Sequence, residues 1–231
     1  MKATITTKLK RFLSKTLPNS EKIRYLAALP KLNDFVKNAS DTCKVFKTRK
    51  ELYTYLNDEI NNTAINYCEF GVYQGASIKY WSATNTDPKS DFHGFDTFTG
   101  LPETWSNFTG GLSKGVFDVK GQLPQIDDDR VFFHKGLFQD TLPSFIKNNE
   151  LSNTLVINID ADLYSSTLFV LTQMDNLIKT GTIIIFDEFS SMLHEFRALE
   201  DYCMSYRREY EVLAATTSKY QYYAHVAIKI L

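Results

Sequence analysis

From residue 65 onward, short apolar runs alternate with stretches of helical spacing. Ile65-Asn-Tyr-Cys-Glu-Phe70 is a compact apolar run, followed by glycines and a helix over 77–83. Phe92-His-Gly-Phe-Asp96, Arg130-Val-Phe-Phe-His134, Leu155-Val-Ile-Asn-Ile-Asp160 and Thr182-Ile-Ile-Ile-Phe-Asp187 read as four further strands, with helices over 142–149, 165–179 and 192–206. Near-continuous apolar runs of this kind suit strands covered by helices on both faces. Two β-rich runs, 210–216 and 221–230, are joined by 217–220, which reads as a hairpin. Residues 1–60 read as mainly helical, with Arg49-Lys-Glu-Leu-Tyr-Thr-Tyr-Leu56 placing apolar residues at helical spacing. The pattern predicts one doubly wound α/β domain over 61–231 and an N-terminal helical extension over 1–60, with no internal repeat or linker.

Composition narrows the classes. The 231 residues are 43% hydrophobic and 23% charged, ordinary for a globular protein with a sizeable core. Twenty-six basic residues stand against 27 acidic ones, which argues against a nucleic-acid partner bound through phosphate neutralisation. Cys43, Cys68 and Cys203 form neither a disulfide framework nor a zinc pattern, so they read as reduced intracellular thiols and the expected location is the cytoplasm. No apolar run is long enough to span a bilayer. Lys8, Lys10, Arg11 and Lys15 near Leu9, Phe12 and Leu13 fit either peripheral contact with an anionic membrane or a solvated surface helix.

Three features carry chemistry. The first is Glu69-Phe-Gly-Val-Tyr-Gln-Gly75 at a strand-to-helix turn, where Gly71 permits a tight turn and Gly75 close approach of a ligand to the helix start, with Ser77 nearby. Tyr73 stands where a dinucleotide fingerprint has its middle glycine, which argues against a pyrophosphate cradle. The second is Asp96, which ends the second strand at the spacing of a ribose-binding acid, or else caps the following turn. The third is a set of acids: Asp160 and Asp162 on one face at the end of the fourth strand, Asp187 and Glu188 at the end of the fifth. If those strands are neighbours, the acids converge, and hard oxygen donors that would otherwise repel suit Mg²⁺ or another divalent ion. The alternative is a set of independent helix caps and solvated acids.

At these residues the chain resembles the macrocin O-methyltransferase (TylF-like) family. The resemblance runs through Glu69-Phe-Gly-Val-Tyr-Gln-Gly-Ala-Ser77, Gly94-Phe-Asp-Thr-Phe-Thr-Gly-Leu-Pro102, Lys135-Gly-Leu-Phe-Gln-Asp-Thr-Leu-Pro143, Ile159-Asp-Ala-Asp-Leu-Tyr-Ser-Ser-Thr167 and Ile185-Phe-Asp-Glu-Phe189. It implies a seven-stranded class I methyltransferase sheet with an antiparallel last strand, S-adenosylmethionine as cofactor, a divalent metal and a sugar hydroxyl as substrate. By position, Glu69, Gly71, Tyr73, Gly75 and Ser77 would line the methionine end, Asp96 would hold the ribose, and Gly136 and Leu137 would lie along the adenosine. Asp160, Asp187 and Glu188 would match the metal ligands and Asp162 the general base. The family ends its fifth strand in paired aspartates, whereas this chain has Asp187-Glu188, and residues 103–124 differ from the family's lid.

His134 and His194 are alternative bases, though such histidines are more often structural or on the surface, while His93 and His225 fall inside strand patterns. Trp105, Phe108 and Phe117 read either as a sugar-stacking surface or as a local core. The leading expectation is a metal-dependent O-methyltransferase of a sugar, glycan or glycosylated metabolite, able to form a homo-oligomer. A catechol-like small hydroxyl substrate is the alternative, and a cofactor-binding regulator without turnover is the non-enzyme reading.

Overall fold

The computed structural model describes residues 5–16, 20–39, 41, 43–107, 110–217 and 223–231. Its frame is an eight-stranded sheet in the order β1-β9-β10-β8-β7-β2-β3-β6. These strands are β1 (Lys44–Phe46), β2 (Ile65–Phe70), β3 (Asp91–Asp96), β6 (Val131–Lys135), β7 (Thr154–Ile159), β8 (Ile183–Phe186), β9 (Tyr210–Thr217) and β10 (Tyr223–Ile230). A separate hairpin pairs β4 (Trp105–Asn107) with β5 (Gly110–Leu112). The helices are α1 (Ile5–Thr16), α2 (Glu21–Ala39), α3 (Arg49–Glu59), α4 (Ala76–Thr84), α5 (Phe138–Asn148), α6 (Tyr164–Met174) and α7 (Glu195–Tyr206).

The five strands predicted from apolar runs pair in parallel with one another. All six residues of β2 and all four of β8 are buried, as expected for strands with helices on both faces. Strand β10 runs antiparallel to both β8 and β9 and lies between them. Of the predicted turn, 217–220, Thr217 ends β9 and the rest, with 221–222, lies outside the described residues.

The sheet differs from expectation at one edge. β1 pairs in parallel with β9, giving an eighth strand that the helical reading of 1–60 did not include. Leu52, Tyr53 and Leu56 of α3 pack in one buried cluster with Ile65, Tyr67 and Trp81, so α3 belongs to the main core. Tyr25, Leu32 and Ala39 of α2 join the cluster on the other side of the sheet. Helix α1 keeps Leu9, Phe12 and Leu13 exposed. No helix among the described residues is long and apolar enough to cross a membrane.

The chain order fixes where a ligand goes. From β2 the chain moves outward through β3 to β6, then crosses back to β7 and β8 on the other side of β2. The reversal between β2 and β7 is a topological switch point, and the crevice opens beyond the carboxyl ends of the flanking strands.

Candidate active site

A cleft of about 490 Å³ lies at that switch point, lined by residues that follow β2, β3, β7 and β8, by Arg49, and by the loop after β3. Gly71, Tyr73, Asp96, Leu137, Asp160, Asp162, Asp187 and Glu188 all line it. Sequence reasoning thus brought eight of its candidates to one place, from strand ends far apart in the chain.

The glycine turn is shaped by the protein's own backbone. Gly71 has φ +96°, and a Cβ there would fall 1.8 Å from the carbonyl oxygen of Asp160. The missing side chain lets the turn after β2 run directly against the backbone that leaves β7. Gly75 was expected to admit a ligand, but the space its Cβ would need is taken by Pro124, 2.8 Å away. Its left-handed φ of +78° begins α4. Ser77 is buried on α4, and neither it nor Gly136 is among the residues lining the cleft.

Asp96 organises this turn. Its Oδ2 accepts the backbone N–H groups of Val72 and Tyr73, each at 2.8 Å, and its Oδ1 accepts that of Phe98 at 2.7 Å. A carboxylate offers about four lone-pair directions, so one remains for a ligand hydroxyl in the cleft. The ribose and the capping readings of Asp96 are therefore compatible.

Glu69 lies beneath the cleft rather than in it. It is buried, accepts the Tyr67 hydroxyl proton at 2.5 Å, and has Asn158 Nδ2 at 3.4 Å. Burial pushes its carboxyl up to about 8, against the lowering effect of those hydrogen bonds and of Arg49. Asn158 also takes the Tyr53 hydroxyl, at 3.4 Å, so the network ties β2, β7 and α3 together under the site.

The two acids after β7 do not share a strand face as expected, because β7 ends at Ile159. Asp160 continues the sheet, its N–H bonded to Phe70 O at 2.9 Å. Asp162 instead occupies the centre of a γ-turn: its φ is +60°, and Leu163 N donates to Ala161 O at 2.6 Å. A γ-turn with positive φ is rare and strained for a residue with a side chain. This turn presents Asp162 to the cleft just ahead of α6. Burial, with the charges of Glu188 and Asp187, raises its carboxyl to about 7.

Asp187 is held differently. Burial would raise its carboxyl, but His225 and Arg49 bring it below the usual range. Arg49 Nη1 lies 2.5 Å from Asp187 Oδ1 and 3.2 Å from Asp160 Oδ2, and His225 Nε2 lies 3.0 Å from Asp187 Oδ1. Burial and the neighbouring Asp187 push Asp160 upward, and Glu188 is raised by the same two causes.

The fit of a divalent ion follows from these contacts. Asp160 and Asp187 direct oxygens at the same guanidinium nitrogen, so their shared point is already filled by a cation. Among the described residues no group of three or more His, Cys, Asp or Glu is arranged to hold a metal ion. The acids expected as metal ligands meet in the cleft, but as arranged they do not fit a divalent ion.

The two histidines expected as alternative bases are engaged elsewhere. His134 Nε2 is 3.1 Å from His93 Nδ1, and its ring stacks on Phe95 at 4.4 Å. Burial and His93 lower it to about 4, so it is neutral near pH 7. His194 Nε2 lies 2.6 Å from Ser106 O, and its Nδ1 accepts the N–H of Tyr164 at 3.3 Å. It pins the β4–β5 hairpin to the start of α6. Neither histidine is among the residues lining the cleft.

The loop after β3 forms the roof. Leu101 N bonds Val116 O at 2.9 Å, Gly121 N bonds Phe98 O at 2.7 Å, and Ser165 Oγ donates to Glu103 Oε1 at 2.5 Å. Phe117 packs edge-on against Tyr73 with centroids 5.5 Å apart, and both line the cleft half-exposed. Trp105 is buried beside His194 and does not line the cleft. Phe108 lies outside the described residues.

Sequence reasoning missed Arg49 and His225. Arg49 sat in a run read only for its helical periodicity, and His225 in a strand read only for its alternation. No local signal joins either to Asp187.

The macrocin-O-methyltransferase (TylF) family profile matches residues 45–215. No curated protein sequence matches the chain. Among solved structures, the O-methyltransferase NovP is similar with a TM-score of 0.57 and 20% identity over 78% of each chain. The calicheamicin-biosynthesis enzyme CalS11, a TDP-rhamnose 3′-O-methyltransferase, is similar with a TM-score of 0.54 and 19% identity, covering 99% of this chain and 96% of that one. An O-methyltransferase from Bacillus cereus in complex with SAH is similar with a TM-score of 0.55 and 17% identity over 97% of each chain.

Proposed function

The chain belongs to the macrocin-O-methyltransferase (TylF) family and is an S-adenosylmethionine-dependent O-methyltransferase, and from that premise we propose that it methylates a hydroxyl of a sugar, free or carried on a metabolite or glycan. The observation that supports this most is the γ-turn that holds Asp162 in strained backbone at the cleft that Asp96 also lines. Strain at a polar residue in a crevice is a common mark of a working group.

When bound, S-adenosylmethionine supplies a methyl group on a positively charged sulfur, which keeps the S–C electron pair as oxygen attacks the carbon. Asp96 and the turn at Gly71 hold the nucleoside half of the cleft, with Leu137 offering an apolar side to the adenine. Asp162 accepts the proton of the attacking hydroxyl. Its carboxyl, raised to about 7, is basic enough to take that proton and still substantially ionised near neutral pH. Tyr73 and Phe117 give the sugar an apolar rim, since aromatic faces cover C–H edges with few rotamers to freeze. Thr97, Leu101, Pro102 and Phe117, which line the cleft from the loop after β3, orient the acceptor for in-line approach and limit water.

TDP-rhamnose is the substrate named for CalS11, and nucleotide-linked deoxysugars are therefore the first acceptors to test. Transfer of labelled methyl from S-adenosylmethionine to a panel of such sugars is expected, with none to catechols. Label appearing only on catechols would replace the sugar reading with its rival.

A further inference from the structure

Helix α3 opens with a residue that its position disfavours. Arg49 is the first residue of the helix, directly after the N-cap Thr48 and inside the capping box that Thr48 makes with Glu51. The start of a helix carries partial positive charge, which favours acidic side chains there and opposes basic ones. Arg49 is nevertheless placed there, and its Nη1 bridges Asp160 and Asp187, 111 and 138 residues further along the chain. The same Asp187 oxygen is also met by His225 Nε2 at 3.0 Å, and His225 Nδ1 is fixed by Thr216 Oγ1 at 2.5 Å. A local rule broken at a crevice, with long-range partners that compensate for it, points to function rather than to helix stability.

From this juxtaposition we propose that Arg49 is the resident cation of the acidic cleft, standing between Asp160 and Asp187 where a divalent ion would otherwise be shared. The guanidinium suits the place: it is permanently charged, planar, and offers several donors in a fixed fork. Its side chain remains about one-third exposed and lines the cleft, so it also faces the acceptor's pocket. Methyl transfer needs no further charge carrier. A sulfonium, an acceptor hydroxyl and a carboxylate would become a thioether, a methyl ether and a carboxylic acid, so atoms and charges balance within the cleft. Arg49 acts as a positioning residue that keeps Asp187 and Asp160 from repelling one another and from shifting Asp162. This catalytic consequence rests on the methyl-transfer reading; the absence of a metal site between the two acids rests on geometry alone.

The test is a Mn²⁺ titration of the protein with S-adenosylhomocysteine present, following free ion by electron paramagnetic resonance. The unaltered chain is expected to bind no ion that Asp187→Asn removes; an ion that survives Asp187→Asn is not one shared between Asp160 and Asp187 and agrees with the proposal. One Mn²⁺ per chain that is abolished by Asp187→Asn would overturn it. Arg49→Ala uncovers both carboxylates and is expected to gain one ion sensitive to Asp187→Asn. A folded Arg49→Ala protein that gains none would also count against Arg49 standing in a cation's place. If Arg49→Ala does not fold, the titration of the unaltered chain decides alone. The titration requires no turnover, so its outcome is separable from that of the label-transfer assay, whose rate is expected to be unchanged in EDTA.

Discussion

Asp96 Oδ2 accepts the backbone N–H of Tyr73 at 2.8 Å, binding the end of β3 to the turn that leaves β2. One carboxylate therefore shapes the turn and has capacity left for a ligand hydroxyl, which we propose is the ribose's. Asp96→Ala is expected to weaken S-adenosylhomocysteine binding by roughly tenfold to a hundredfold, since a hydrogen bond to a charged group contributes about 1.5–3 kcal/mol. Calorimetric titration checks this, and unchanged affinity in the folded variant would remove Asp96 from the binding site.

Asp162 is the expected base. Asp162→Asn should reduce kcat by about 10²–10⁴ while leaving cofactor affinity near its original value. Because Asp162 must be ionised to accept a proton, kcat/KM should rise with pH and level off above about 7. A normal rate in Asp162→Asn would place the base elsewhere.

The eight acids and turn residues that meet in the cleft were legible because each ends an apolar run, and parallel strands deliver their carboxyl ends to one side. Arg49 was not, because its partners are distant in sequence and helical spacing says nothing of where a first-turn side chain reaches. β1 escaped for another reason: three residues are too few for alternation to show. The direction of Asp162 depended on a γ-turn, which strand periodicity cannot anticipate. The reading of Gly75 as a ligand approach failed because Pro124, from a loop with no periodic pattern, fills that space.

Glu69 makes stability depend on pH. Its folded-state carboxyl is raised to about 8 by burial, above the value near 4.3 expected for an unfolded chain. The folded state then holds a proton that the unfolded state releases, so its contribution is full below about pH 4 and is lost as pH rises through 8. Glu69→Gln keeps the shape and cannot ionise. Thermal melts should show its advantage over the unaltered protein growing between pH 5 and 8. Parallel melting curves for the two proteins across that range would contradict the buried, protonated assignment.

The central claim is that the crevice between β2 and β7 holds S-adenosylmethionine with its methyl group turned toward Asp162. A crystal structure with S-adenosylhomocysteine measures this directly. The nucleoside is expected between Asp96 and Leu137, with the sulfur on the Asp160–Asp162 side of the cleft. A cofactor bound outside this crevice, or bound within it with its sulfur directed away from Asp162, would contradict the account.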